Sequence, residues 1–282
     1  MISQLHEFER FPISLLCNIA MVSRSAYYKW ENRAESALEA ENKILMSEMI
    51  LLYEEVDGIY GYRRMTMNLN RKLKKTFNYK RIYRLMRITG LQSVIRKKKK
   101  RYVKSTPQHV AANLLNREFT ADKSNQKWLT DVTEFKYGNS QKAYLSAILD
   151  LHDKSIVAYV LGHSNNNHLV FSTLDTALEV SPGASPMIHS DRGFQYTSFG
   201  FKHRLDAAEM THSMSRVGKC IDNGPMEAFW GILKCEKYYL HKYSTFEDLS
   251  HSIDEYISFY NMKRLQKRLN GLSPMEFRAL AA

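Results

Sequence analysis

Cysteine is scarce in this 282-residue chain: Cys17, Cys220 and Cys235 are the only three. They are too few and too scattered for a disulfide framework, and their spacing suits no zinc site, so a reducing cytoplasm is the expected location. Long apolar runs are missing as well. Residues 11–23 carry no charge, but Glu7, Glu9 and Arg10 give them a net negative upstream flank, the wrong sign for an export signal. Residues 155–174 are also uncharged, yet they contain His163-Ser-Asn-Asn-Asn-His168, which no bilayer core accepts. Neither a membrane span nor an export signal is expected, and no internal repeat or extended low-complexity region is seen. The most informative absence is of acid. Residues 61–104 hold 17 Lys and Arg and no Asp or Glu.

That segment accounts for the charge of the whole molecule, 41 basic against 29 acidic residues, or +12. Residues 1–60 carry 5 basic and 10 acidic residues, and residues 105–282 carry 19 of each. Confined to one stretch, the excess marks a footprint for a polyanion, nucleic acid or an anionic membrane surface. At 44% hydrophobic and 25% charged the composition is that of a soluble globular protein, long enough for one or two domains.

Four regions are expected. Residues 1–35 hold two short helices around a turn between Ile13 and Trp30, a helix-turn-helix pattern that a small helical hairpin would satisfy equally well. Residues 36–104 form a basic helical domain: a polar helix over 35–55, a helix over 62–73 and another over 79–89, stopped by Gly90. Arg63, Arg64, Arg81, Arg84 and Arg87 line its helices, and the run Arg96, Lys97, Lys98, Lys99, Lys100, Arg101 follows. Alone, such a run reads as a solvated tail; behind acid-free helices interleaved with Tyr60, Tyr62, Tyr79 and Tyr83, it reads as DNA binding. Residues 105–122 look like a linker. From residue 123 the pattern becomes strands at 128–135, 143–151 and 156–162, a helix at 168–180, a strand at 187–190 and further helices, which predicts a mixed α/β sheet.

Three acids fall at the ends of these elements. Asp131 lies in the first strand, Asp191 directly follows the last, and Glu227 stands at the start of a helix behind Asp222-Asn-Gly-Pro225. Each has an ordinary explanation by itself: a strand-edge pair, a turn, and an acid favoured by a helix N-terminus. Converged, they would need a cation to neutralise them, and ligation by oxygen alone suits Mg²⁺ or Mn²⁺. Lys234, two helical turns after Glu227, shares its neighbouring face. Glu134, Asp150, Asp153 and Asp222 are expected to be structural, and His189 to be a packed strand histidine.

Trp128-Leu-Thr-Asp131, His189-Ser-Asp191-Arg-Gly193 and Asn223-Gly-Pro-Met-Glu227 resemble the catalytic blocks of DDE transposases with a retroviral-integrase core. Thirty-five residues separate Asp191 from Glu227, the spacing that names the D,D(35)E group. Tyr60-Gly-Tyr-Arg-Arg64, Arg81-Ile-Tyr-Arg-Leu85, Tyr260-Asn-Met-Lys-Arg264 and Leu272-Ser-Pro-Met-Glu-Phe277 are similar to the orfB-type transposases of the insertion-sequence-3 family, a resemblance running from Ile13 to Phe277.

The resemblance implies a ribonuclease-H-like catalytic core over residues 123–282, with Asp131, Asp191 and Glu227 holding two metal ions. It implies nicking at the element end and attack of the freed 3′-hydroxyl on DNA, with no protein nucleophile, so Tyr196, Ser190 and Ser198 receive no covalent role. Lys234 corresponds to the family's basic contact to element-end DNA, and residues 213–226, with Gly218 and Gly224, to a mobile flap. The implied partners are double-stranded DNA (terminal inverted repeats and target), further copies of the chain, and the product of an upstream reading frame, since no sustained heptads occur here. The implied setting is the bacterial cytoplasm, at the nucleoid. A stand-alone nuclease on the same core and a catalytically silent regulator of transposition are the competing readings.

Overall fold

A computed structural model describes residues 2–95, 112–216 and 220–281. The Arg96–Arg101 run lies outside the described residues, as does Gly218. The chain divides into two units, residues 1–92 and 93–282.

The first unit is all helical: α1 (Ile2–Glu9), α2 (Ile13–Ile19), α3 (Arg24–Glu31), α4 (Ala37–Glu55), α5 (Tyr62–Leu73) and α6 (Tyr79–Ile88). Its helix starts are written in polar side chains. Ser23 Oγ accepts the Ala26 N–H, Ser36 and Glu39 form a reciprocal capping box, and Asn78 Oδ1 accepts the Lys80 N–H. Gly90, at φ +72°, takes the left-handed conformation that ends the last helix. Leu45, Met49 and Leu52 of α4 are buried, as are Met65 and Leu69 of α5 and Ile82, Leu85 and Met86 of α6. Helices α2 and α3 stand where two short helices around a turn are expected, which fits a helix-turn-helix and a helical hairpin alike, and this unit includes both regions that the sequence reading divides at residue 35.

The second unit is built on a five-stranded mixed sheet in the order β3-β2-β1-β4-β5. Strands β1 (Lys127–Tyr137), β2 (Gln141–Asp150) and β3 (Ile156–Gly162) form an antiparallel meander; β4 (Met187–Ser190) and β5 (Thr211–Met214) add on parallel to β1. Helices α7 (Asn167–Val180), α8 (Phe199–Ala207), α9 (Gly224–Glu236), α10 (Phe246–Met262) and α11 (Pro274–Ala281) complete the unit. Successive strand residues point to opposite faces, and both faces are covered. Leu129, Leu145 and Leu149 pack with Phe229, Leu233, Ile253 and Ile257. Trp128, Ile148 and Ile188 pack with Val170, Leu174, Phe201 and Leu205 on the other face. This is the three-layer arrangement expected of a ribonuclease-H-like core.

Two parts of the second unit differ from the sequence reading. Residues 112–122, read as linker, pack onto the core: Leu115 is buried, and Ser213 Oγ accepts the N–H groups of both Leu114 and Leu115. Residues 213–226, read as one flap, contain the end of β5, a 3₁₀ turn at Cys220–Asn223 and the start of α9. The Tyr260–Arg264 block proves to be a set of staples. The Asn261 side chain brackets the Ile156 backbone, accepting its N–H at 2.9 Å and donating to its carbonyl at 3.0 Å, while Tyr260 donates to the Lys154 carbonyl. No described helix is long and apolar enough to cross a membrane.

Candidate active site

Strand β1 lies between β2 and β4, and its register with β4 places two of the three acids. Leu129 pairs with His189, so two residues further along each parallel strand stand Asp131 and Asp191. The parallel pairing stops there, since β4 ends at Ser190 while β1 runs on to Tyr137, and the ends of parallel strands are where α/β proteins assemble their sites. Gly193 donates its N–H to Asp191 Oδ1 at 2.8 Å, which fixes that carboxylate on the turn after β4.

Glu227 arrives from α9, where Pro225 in the first turn favours initiation and Met226, Phe229, Trp230 and Leu233 supply the buried stripe. Three side chains tie this helix to β1. Asn223 donates to the Thr130 carbonyl at 3.1 Å, Trp230 Nε1 donates to Asp131 Oδ2 at 3.0 Å, and Lys234 Nζ donates to Thr133 Oγ1 at 2.7 Å and to the Glu134 carbonyl at 3.0 Å. The catalytic-looking glutamate and aspartate therefore sit on elements pinned to each other.

Electrostatics couple the three acids. Burial and then the charge of Asp191 push the Asp131 carboxyl up to about 7; Glu227 adds to the rise, and the Trp230 hydrogen bond opposes it. Asp191 reaches solvent at its edge, yet the protein around it raises its pKa by desolvation, against the Gly193 bond. Among the described residues no three His, Cys, Asp or Glu side chains stand close enough to hold a metal ion. The acids are linked through charge rather than drawn into one coordination shell.

Behind the two aspartates, Tyr196 is buried with its hydroxyl 3.3 Å from Thr130 Oγ1, and burial holds its phenol well above the usual range, so it stays protonated. Ser198 caps α8, and Ser190 Oγ donates to the Asp191 carbonyl. His189 is buried between Ser213 and Ser215, and burial pushes its pKa down to about 4. Asp150 and Asp153 face Arg278 at 3.7 and 3.2 Å, while Glu134 pairs with Lys142 at the surface.

Residues 121–220 match the integrase core domain family, residues 227–280 a second integrase core domain family, and residues 39–99 an HTH-like domain family. The InsK transposase assigned to insertion sequence element IS150 of Escherichia coli K12 is 36% identical over 279 residues, covering 98% of this chain and 96% of that protein. The chain belongs to the insertion-sequence-3 transposases. The InsF transposase of IS3A from the same organism is 28% identical over 96% of this chain and 95% of its own. Among solved structures, the HTLV-2 integrase catalytic core domain in complex with magnesium aligns at 20% identity and a TM-score of 0.45, over 55% of this chain and 97% of that one. This transposase thus joins an integrase core to an HTH-like domain, and its broad function is transposition of an insertion sequence through DNA integration.

The basic residues of the transposase separate into two groups. Arg81 is turned inward: Nη1 donates to Glu41 at 2.7 Å, and Nε and Nη2 both donate to Asn42 Oδ1. Lys234 is likewise half-buried and committed to β1, and burial lowers its pKa. Their roles as direct DNA contacts compete with these bonds, which the sequence could not reveal. Arg63 lies over the Tyr62 ring and Arg64 over the Tyr60 ring. Arg84 and Arg87 line a surface hollow with the half-exposed Tyr83.

Proposed function

We propose that Asp131, Asp191 and Glu227 together hold divalent cations, two Mg²⁺ or Mn²⁺ ions, and that this centre cleaves DNA at the element ends and joins the freed 3′-hydroxyl to target DNA. The observation that carries this reading is the register of two adjacent parallel strands, which sets Asp131 on β1 beside Asp191 just after β4, with the Glu227 helix bonded to Asp131 through Trp230. The donor set fits the ions. Three carboxylates offer only hard oxygen ligands, and an Asp131 carboxyl raised by its acidic neighbours is the kind of group a cation ionises. Bound there, the ions would activate the attacking oxygen and stabilise the leaving one.

The chain's own residues orient this centre. Trp230 fixes one oxygen of Asp131, Gly193 fixes one of Asp191, and Asn223 holds the start of α9 against Thr130. No side chain acts as a nucleophile: Tyr196 is sealed from solvent with its proton held, and Ser198 is spent on a helix cap. The polyanion gripped by the basic segment, residues 61–104, is then double-stranded DNA, terminal inverted repeats and target alike. Arg63, Arg64, Arg84, Arg87 and the Arg96–Arg101 run would hold its backbone without regard to sequence. The active assembly contains further copies of the chain, with the product of an upstream reading frame as a second partner, and works in the bacterial cytoplasm.

The test is strand transfer on labelled element-end duplexes with Mg²⁺. Asp131→Asn and Glu227→Gln each abolish nicking and joining while duplex binding persists; normal cutting by either variant overturns the triad. Cutting without joining by the unaltered protein would indicate a nuclease, and binding without cutting a regulator.

A further inference from the structure

Asp222 is completely buried and both its oxygens are saturated. Oδ1 accepts Arg117 Nε and Arg216 Nη2, each at 2.8 Å; Oδ2 accepts Asn113 Nδ2 at 3.0 Å, the Arg216 N–H at 3.0 Å and Arg216 Nε at 2.9 Å. Arg216 alone neutralises this carboxylate, bonding both oxygens in the bidentate geometry that guanidinium and carboxylate favour. Arg117 is a second cation on one anion. The two guanidinium side chains are 42% and 46% exposed, although the acid beneath them is sealed. Arg117 commits only Nε to Asp222, which leaves both its Nη groups toward solvent, and Arg216 keeps Nη1.

We propose that Arg117 and Arg216 form a clamp for a DNA backbone phosphate beside the candidate active site, with Asp222 as the buried post that holds both forks in place. The position follows from short links. Asn223, next to Asp222, donates to the carbonyl of Thr130, which immediately precedes Asp131. Arg192, next to Asp191, donates Nε to the carbonyl of Ser215, which immediately precedes Arg216. One surplus positive charge on the Asp222 cluster thus faces solvent next to both aspartates, within residues 105–282, whose formal charges sum to zero. Planar guanidinium forks with fixed direction are the groups that grip phosphate with two donors at once. A post that only stabilised the loop base would need one arginine. The two arginines pair with the same carboxylate, and Arg216 and then Arg117 hold it well below the usual carboxylate range, so it is ionised at neutral pH.

This inference rests on the reading of the second unit as DNA-processing, and its test avoids cleavage altogether. Binding of the full chain to a short blunt duplex is measured without divalent metal over about 50–200 mM salt. Arg117→Gln with Arg216→Gln should lower the slope of log affinity against log salt by about 0.9, the value for one phosphate contact, and Arg117→Lys with Arg216→Lys should restore it. A glutamine pair that melts earlier but keeps the full slope overturns the clamp. A second measurement needs no variant. An arginine-selective dicarbonyl reagent should label Arg117 and Arg216 more slowly under saturating duplex, with Arg204, paired to Asp175, as the unprotected reference. Equal labelling with and without duplex also overturns it. Should Asp131→Asn cut normally, the triad fails while both of these measurements still stand.

Discussion

Trp230 Nε1 donates to Asp131 Oδ2 at 3.0 Å, so the helix that carries Glu227 is bonded to the opposing acid itself. The indole is nearly buried, and its ring packs with Phe229 in the core between α9 and the sheet. One side chain thus serves the core with its ring and the acidic cluster with its N–H. The bond favours the ionised form of Asp131, against burial and the charges of Asp191 and Glu227.

Trp230→Phe keeps most of the apolar ring and removes the donor. In metal-free protein the Asp131 carboxyl then titrates above the value of about 7 that the intact site gives it, because the charged form loses the Trp230 donor. The ¹³C shift of labelled aspartate against pH reads this directly. A midpoint equal to or below that of the unaltered protein would sink the assignment of Trp230 as the residue that tunes Asp131.

Two histidines of the sheet, His189 buried and His212 partly buried, weaken the second unit in acid. His189 and His212 are both held down to about 4 by burial, against 6.5 in an open chain. Between these values the unfolded chain takes up protons that the folded one refuses, so stability is full above about 6.5 and falls as the pH drops toward about 4. A tenfold difference in proton affinity between the folded and unfolded chain is worth about 1.4 kcal/mol, so the loss amounts to a few kcal/mol. The Asp131 carboxyl, raised to about 7, works in the opposite sense over the same range, so the histidine contribution is read as a difference: between pH 7 and 5 the urea midpoint should decline more in the unaltered protein than in His189→Asn. His189→Asn should flatten the decline, since an amide can bond Ser213 and Ser215 without titrating.

How much was legible follows from where each signal lives. The alternation Trp128-Leu129 along β1, the Met187–Ser190 run and the α9 stripe are local patterns, and they locate all three acids on the correct elements. Strand β5 was not legible, because Thr-His-Ser-Met has no apolar run and becomes a strand only through parallel pairing with β4. Residues 112–122 lack periodicity for a similar reason: their order comes from bonds to Ser213 and Asp222, about a hundred positions away. The inward turn of Arg81 and Lys234 depends on partners in other elements, and composition carries no trace of it.

Glu236 and Arg264 form a buried pair, joined Nε to Oε2 and Nη2 to Oε1 at 2.8 Å each, with the Tyr256 hydroxyl donating to Oε2 at 2.8 Å. Removing one charge strands the other in a low-dielectric interior. Arg264→Met should therefore cost about 3–5 kcal/mol, and adding Glu236→Leu should return most of it. Urea unfolding of the two variants checks this. A double variant no more stable than Arg264→Met would show that the pair contributes more than mutual neutralisation.

The basic helices offer a contrast within one element, because α6 carries Arg81 and, beside each other in the hollow with Tyr83, Arg84 and Arg87. Arg81 fastens α6 to α4 through Glu41 and Asn42, with its side chain only 20% exposed, so Arg81→Ala should lower the melting temperature of the first unit. Among the described residues Arg84 and Arg87 have no ion-pair partner, so Arg84→Gln and Arg87→Gln should leave melting unchanged. Their effect should fall on DNA: each removal lowers the salt slope of duplex binding by about 1 if the residue contacts a phosphate. If the whole basic segment makes about 6–10 such contacts, affinity should drop by roughly 10³–10⁵ between about 50 and 200 mM salt. A flat salt dependence in the unaltered protein would mean that the acid-free segment is a solvated surface, and that the net charge of +12 answers to something other than DNA.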